Sequence, residues 1–388
     1  MTQPEAAFPR VRRNQAWMWR AERLKYAELV LESKDSFYDW YIDTHTQLHQ
    51  YHGGPAFLPW HRQFIFELEE DLRTLDSSAT LPYWDWTLDR RMAGFLTPWT
   101  LNFMGGNGTD TGIFTVSDGW LCRNVNINET ALRRQFGAVT DLPTGQQVDD
   151  CLGQTPYDRD PWDSEAEPSF RNYLEGGIGP SRIHNAVHNW VGGNMRDVLS
   201  SPNDPVFFLH HANIDRIWGI WQDQHPTQSY VPQTGGPAGH NGPDKLLPRG
   251  KPAINDVTDR RKMGYVYDTD YPTIPSGGSG MLPGDVLVPG TTLYSAIGGY
   301  QLDFQANGQL GLYNGNDRST PIWAAPRVVN GPGRLVLEPS GTLDLYDKNK
   351  VKLFTSGTSN MWGNRLYVTY EGELALFNML EQIIWSVP

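Results

Sequence analysis

Three segments in the C-terminal quarter repeat one pattern, and that repeat constrains the fold more than any other feature of the chain. FQANGQLGLYN (304–314), LEPSGTLDLYD (337–347) and TYEGELALFN (369–378) each put a glycine in a turn, then alternate apolar residues up to an aromatic one. Each is followed by an apolar–aromatic pair, Ile322-Trp323, Leu353-Phe354 and Ile384-Trp385, and the pairs are 31 residues apart both times. Period-two alternation belongs to strands with one buried face. A fixed period of this length belongs to equivalent supersecondary units stacked on one another. Just upstream, Pro275–Gly280 (PSGGSG) reads as a flexible linker. The expectation is an all-β domain over 281–388 and a separate domain over 1–280.

Upstream the apolar period lengthens to three and four. Arg20–Ser33, Ser36–Gln50, Trp60–Leu75, Ser181–Trp190 and Pro205–Gln224 read as helices, the third with Phe64, Leu68, Leu72 and Leu75 along one face. Residues 87–170 are rich in Gly, Asn, Asp and Pro and read as long loops, which in a compact domain make a functional surface. The first domain is therefore expected to be mainly α. Its long loops carry the surface chemistry.

Composition removes several classes. Lys+Arg 32 against Asp+Glu 44 leaves a net charge of −12, the wrong sign for a nucleic-acid partner. No apolar run reaches the roughly 18 residues of a membrane helix. The first residues, MTQPEAAFPRVRRN, lack the apolar core of a secretory signal, so the expectation is a cytoplasmic protein or one exported with a partner. Cys122 and Cys151 allow one bridge at most, or stay free.

The chemistry lies in the histidines. Eight of the ten fall in two groups: His45, His49, His52 and His61, then His184, His188, His210 and His211. His184 and His188 are one helical turn apart, so both rings leave the same face. Neutral imidazole suits zinc, copper, iron and nickel. The groups contain no HExxH, no cysteine pair and no Glu-x-x-His, which argues against zinc protease, structural zinc and di-iron chemistry. Two all-imidazole triads favour copper. Spacing leaves open which three of each four bind it.

HGGPAFLPWHR (52–62) and DPVFFLHHANID (204–215) resemble the two copper signatures of the tyrosinase family of type-3 copper proteins. YWDW (83–86), LRRQFG (132–137), YDRDPWD (157–163), SFRNYLEG (169–176) and HNAVHNWVGG (184–193) resemble the Streptomyces-type bacterial members in the same order. The resemblance spans about residues 8 to 270. It implies a four-helix bundle holding two copper ions, one on His45, His52 and His61 and one on His184, His188 and His211. His49, His210, His225 and His240 are then not ligands. Gln50 and Tyr51 precede His52, so the thioether-forming cysteine of fungal and plant relatives has no counterpart.

The implied activity is ortho-hydroxylation of monophenols by O2 and oxidation of catechols to o-quinones. The alternatives are a catechol or o-aminophenol oxidase without monophenolase activity, and a haemocyanin-like O2 carrier. The resemblance makes Glu175 and Asn185 the pair that holds a deprotonating water, with Arg171 or Arg182 as a purely structural partner for Glu175. It puts Asn189 and Val198 beside the substrate. Asp215 is expected either to support the ligands or to pair with Arg216 or Arg260. Tyr265 and Tyr267 are expected to meet an arginine among Arg10, Arg12 and Arg13. A copper-delivery protein is a possible partner, as in the bacterial relatives. The C-terminal repeats resemble the bulb-type mannose-binding lectins, a β-prism. Gln305, Asn307, Gln309 and Tyr313 keep part of the sugar motif, so weak glycan binding, a lid or a stabilising role is implied.

Overall fold

The computed structural model describes residues 10–18, 20–89, 97–126, 128–166, 168–177, 183–270, 280–281, 285–295, 299–315, 317, 319–329, 331, 333–338, 340–359, 361, 363–378 and 382–388. The linker expected at 275–280 lies outside them except for Gly280, and Arg182 lies outside as well. Contacts divide the chain into two compact units. One comprises 23–77 and 81–264, the other 1–22, 78–80 and 265–388. Contacts thus part at 264, ahead of the boundary expected at 280, and the N-terminal segment joins the C-terminal unit.

The larger unit is built on helices α1 (Arg20–Glu32), α2 (Tyr38–Gln47), α3 (Phe57–Leu75), α4 (Gly145–Leu152), α5 (Phe170–Glu175), α6 (Ile183–Val191) and α7 (Val206–Gln224). The five long helices read from the sequence are present, and α3 starts three residues earlier than its pattern suggested. Pro59 is tolerated there because it falls in the first turn, where backbone N–H groups have no helical partner. In α7 every residue from Val206 to Gly219 is buried, the mark of a helix central to its unit. Residues 97–144 are mostly loops with one short pair, Gly108–Thr109 with Arg133–Arg134.

Buried ion pairs tie these elements together. Asp215 on α7 takes the guanidinium of Arg62 on α3, and that guanidinium also lies 3.7 Å over the Trp218 ring. Of the arginines expected near Asp215, Arg216 pairs with Asp85 and Arg260 with Asp223. Arg134 holds Asp204 through two bonds of 2.7 Å. Cys122 and Cys151 are both free and buried.

The other unit carries three four-stranded antiparallel sheets. The first runs Thr291–Tyr294, Tyr300–Phe304, Leu310–Asn314, Trp323–Ala324. The second joins Val286–Leu287 to Arg334–Leu337, Leu343–Tyr346 and Lys352–Thr355, and the third joins Gly280–Met281 to Gly363–Val368, Leu374–Asn378 and Ile383–Val387. The repeated glycine of each segment, Gly308, Gly341 or Gly372, has φ of +85°, +83° or +91°, a conformation that side chains with a Cβ avoid. Each closes the same hairpin, donating to the carbonyl of the residue three before it: Gln305, Glu338 and Thr369. The alternating leucines of the three hairpins, Leu310/Leu312, Leu343/Leu345 and Leu374/Leu376, share one core. The aromatic of each following pair meets its equivalents, with Trp323, Phe354 and Trp385 at ring separations of 5.7, 5.8 and 6.4 Å.

In this same unit Arg10–Arg12 pairs in parallel with Tyr265–Tyr267. Arg12 is the arginine that meets the tyrosines: its guanidinium lies 3.7 Å over the Tyr265 ring and donates to the Tyr267 hydroxyl at 3.2 Å.

Candidate metal centre

Four helices and one turn bring the histidines together. His45 comes from the last turn of α2, His61 from α3, His184 and His188 from α6, and His211 from α7. His52 follows a short 3-10 turn ahead of α3. The ring nitrogens form two groups, His45/His52/His61 and His184/His188/His210/His211, each with its ligand atoms within 4.8 Å of one another. The groups abut where the rings of His61 and His211 stack at 4.2 Å. The i, i+4 spacing in α6 does what the sequence implied, with rings 4.5 Å apart.

Hydrogen bonds at the far nitrogen decide what each ring can do. The Nδ1 of His52 contacts the His49 carbonyl at 3.0 Å, that of His61 the Phe57 carbonyl at 2.9 Å, and that of His188 the Met195 carbonyl at 2.7 Å. A carbonyl only accepts, so each Nδ1 carries the proton and each Nε2 presents a lone pair inward. His184 donates its Nδ1–H in the same way to the Asn185 side-chain oxygen at 2.9 Å. The Nε2 of His211 stands 3.4 Å from the Nε2 of both His184 and His188. Lone pairs that close repel unless a cation lies between them. Ligands held about 2.0 Å from a shared metal stand about 3.4 Å apart.

His210 is different. The Trp86 indole N–H donates to its Nδ1 at 3.2 Å, so its proton sits on Nε2 and that nitrogen cannot bind a metal. His49 is exposed and outside both groups. His225 bonds the Leu152 carbonyl, and His240 accepts from the Ala56 N–H.

Burial completes the case for a cation. His45, His61, His184 and His211 are each at most 3% exposed. Desolvation holds their pKa values well below the usual range, and those of His52 and His188 fall to about 4, so the six rings stay neutral at pH 7. Both nitrogens of His45 and Nε2 of His61 are buried without a hydrogen-bond partner, and a metal ion would take one nitrogen on each of these rings. Each such atom costs about 1–3 kcal/mol unless something occupies it. Phe57 and Phe207 fill the space around the rings, Phe57 at 4.6 Å from His61 and 4.8 Å from His184, Phe207 at 4.2 Å from His211. Among the described residues no carboxylate or thiol joins either group. The donor set fits copper.

Glu175 ends α5 and is buried. The Gly53 N–H, next to His52, donates to its Oε1 at 2.5 Å, and Arg171 donates to its Oε2 at 3.1 Å. Burial raises its pKa to about 7, against the pull of Arg171 and the Gly53 N–H. Arg171 is shared with Asp158, so it is not committed to Glu175 alone. A cavity of about 240 Å³ opens on the second group, lined by His52, Gly176, His184, Asn185, His188, Asn189, Met195, Arg196, Val198 and Ser201. Asn189 and Val198 are among these lining residues. Arg196, the Trp86 bond to His210 and the Arg62–Asp215 clamp carried no sequence signal, because each depends on residues remote in the chain or on the path of one turn.

Known proteins resemble this unit. Residues 34–224 match the common central domain of tyrosinase. The chain is 40% identical over 278 residues to a tyrosinase of Streptomyces glaucescens, a match covering 67% of this chain and 99% of the relative. It is 37% identical over 274 residues to a grixazone synthase of Streptomyces griseus subsp. griseus, covering 57% of this chain and 87% of the relative. A polyphenol oxidase structure from Thermothelomyces thermophila covers 66% of this chain and 87% of its own, with a TM-score of 0.55 at 22% identity, a likeness in fold.

Proposed function

This chain belongs to the tyrosinase family, and from that premise we propose that His45, His52 and His61 hold one copper ion and His184, His188 and His211 the other. The protein is a tyrosinase-type, copper-dependent phenol oxidase with two copper ions. The observation that supports the ligand set is tautomeric. The rings whose Nδ1–H is tied to a carbonyl or amide oxygen aim Nε2 inward, while Trp86 turns His210 into a donor.

The copper pair supplies the redox capacity to activate O2 and to accept electrons from a phenol. The chain's residues do the rest. Asn185 and the Met195 carbonyl fix the rings of His184 and His188. Phe57 and Phe207 keep bulk water from the ligands. Asn189 and Val198 flank the phenol ring in the cavity. Glu175, balanced near neutrality, accepts the proton of a monophenol through a water shared with Asn185. A second reading, a catechol or o-aminophenol oxidase with little monophenolase activity, is favoured by one contact: the Arg171 guanidinium on Glu175 Oε2 holds that carboxylate as an ion-pair partner.

The four ligand-bearing helices form the bundle of the family in this reading, and the three-sheet unit is a β-prism related to the mannose-binding lectins. Weak glycan binding falls to the first repeat, where Gln305 reaches the Tyr313 hydroxyl at 2.9 Å and Asn307 reaches Gln305. The deciding experiment is reconstitution with copper salt, followed by turnover of a monophenol and its catechol. Two coppers per chain and both activities are expected. In Glu175→Gln the monophenol-to-catechol efficiency ratio should drop at least several-fold; an unchanged ratio would leave Glu175 a structural partner of Arg171, and little monophenol turnover by the native chain would favour the second reading. Failure to load from copper salt alone would point to a delivery protein.

A further inference from the structure

We propose that Arg196 makes the cavity select phenols bearing an anionic tail, a carboxylate above all, over neutral or cationic phenols of the same size. This rests on reading the site as a phenol oxidase. Among the described residues that line the cavity, Arg196 is the one side chain charged at neutral pH apart from bound metal. The other lining residues are the proposed ligands His52, His184 and His188, with Gly, Asn, Met, Val and Ser.

Arg196 ends a 3-10 turn, Gly193–Arg196. The residue before it, Met195, is tied through its carbonyl to His188 at 2.7 Å. The root of the guanidinium is therefore one residue from a backbone group bonded to a proposed ligand, while the side chain is exposed. The guanidinium makes no hydrogen bond or ion pair with any described residue, unlike Arg62, Arg134 and Arg171. The adjacent Asp197 does not line this cavity. Its carboxylate accepts the Leu199 N–H at 3.0 Å, and it lines a separate polar groove with Asn124, Glu129 and Arg133. In a chain of net charge −12, a cation at this wall with no partner among the described residues is no product of a basic surface. A phenol entering hydroxyl-first leaves its para tail toward the opening, and a guanidinium fork takes a carboxylate through two parallel N–H bonds.

The test compares kcat/KM for 3-(4-hydroxyphenyl)propionate, its primary amide and tyramine in the copper-loaded full chain and in Arg196→Gln, Arg196→Lys and Arg196→Glu. The acid should exceed the amide by about three- to fivefold, the scale of an exposed ion pair, mainly through KM. Added salt should shrink that ratio. Arg196→Gln should bring the ratio to about one, Arg196→Lys should keep part of it, and Arg196→Glu should favour tyramine. Because each ratio is taken within one variant, partial misfolding or copper loss cancels. Equal efficiency for acid and amide in the native chain, or an unchanged ratio in Arg196→Gln, would overturn the proposal. Tryptophan quenching by 3-phenylpropionate against 3-phenylpropionamide reads the same preference without turnover. Tighter acid binding that disappears in Arg196→Gln supports the proposal even if no phenol is oxidised, which would defeat only the oxidase reading. Equal binding overturns it.

Discussion

The histidine-bearing unit and the three-sheet unit solve the problem of burial in opposite ways. The sheets bury pairs of leucines from equivalent hairpins in one shared core, which gains stability by removing apolar surface from water and needs no ligand. The helical unit buries ring nitrogens that no protein group satisfies, on His45 and His61, and charges that persist only in pairs such as Arg62–Asp215. The sheet unit has unpaired buried polar atoms too, on Arg334 and Asp344, but they are scattered and not gathered into one cluster. The other is arranged around something the polypeptide does not supply.

That contrast is broken most severely at the ligands. His61→Ala or His211→Ala should each remove about one copper and abolish turnover, whereas His49→Ala should keep both coppers and activity. Metal analysis beside an oxygen-uptake assay decides it, and full activity in either ligand variant would defeat the assignment. Next comes a reciprocal pair of changes. Leu345→Ala should cost about 2–5 kcal/mol and speed amide exchange in the three sheets, leaving copper content and turnover as they were. Removing copper should speed exchange in α3, α6 and α7 and leave Leu310–Asn314 unchanged.

Acidification sharpens the comparison further. His52 and His188 have folded pKa values of about 4, against about 6.5 in an unfolded chain. Between those values the unfolded state binds more protons, so the stability of the metal-free protein is lost as pH falls from about 6.5 toward 4 and regained as it rises. Glu175 and Glu67, raised to about 7, and Asp89, raised to about 6, work against this slope, as does the raised Asp158, but they are outnumbered by the seven buried rings whose pKa values are lowered. No histidine lies beyond His240, so exchange in the sheets should show none of this dependence. A flat urea midpoint between pH 4.5 and 6.5 would mean the rings are solvated. The smallest expected effect is Trp86→Phe, which strips the donor from His210 and should cost about 1–3 kcal/mol. It should also let His210 compete for metal, seen as an altered copper spectrum with both ions retained.

Periodicity alone located the five long helices and the three hairpins, because period-two and three-to-four spacing report directly which face is buried. The shared φ of Gly308, Gly341 and Gly372 was implicit in the repeat, since one turn geometry demands one residue type. The i, i+4 pair His184 and His188 was equally legible, being local to one helix. The resemblance, in turn, picked His45 over His49 and His211 over His210, and two features support that reading: the exposure of His49 and the Trp86 bond to His210.

What remained hidden depends on contacts distant in the chain. Gly280–Met281 and Val286–Leu287 close the third and second sheets, an order no repeat announces, because a strand's partner is set by which edge is left unpaired. Asp215 pairs with Arg62, 153 residues away, where a buried carboxylate left without a cation would be the costlier alternative. Arg196 entered the cavity wall because a 3-10 turn held by His188 carried it there. By itself the sequence determined residue types, periods and the metal-binding chemistry of imidazole. The tertiary structure decided tautomers, partners and pocket walls, since these follow from which groups burial leaves facing one another.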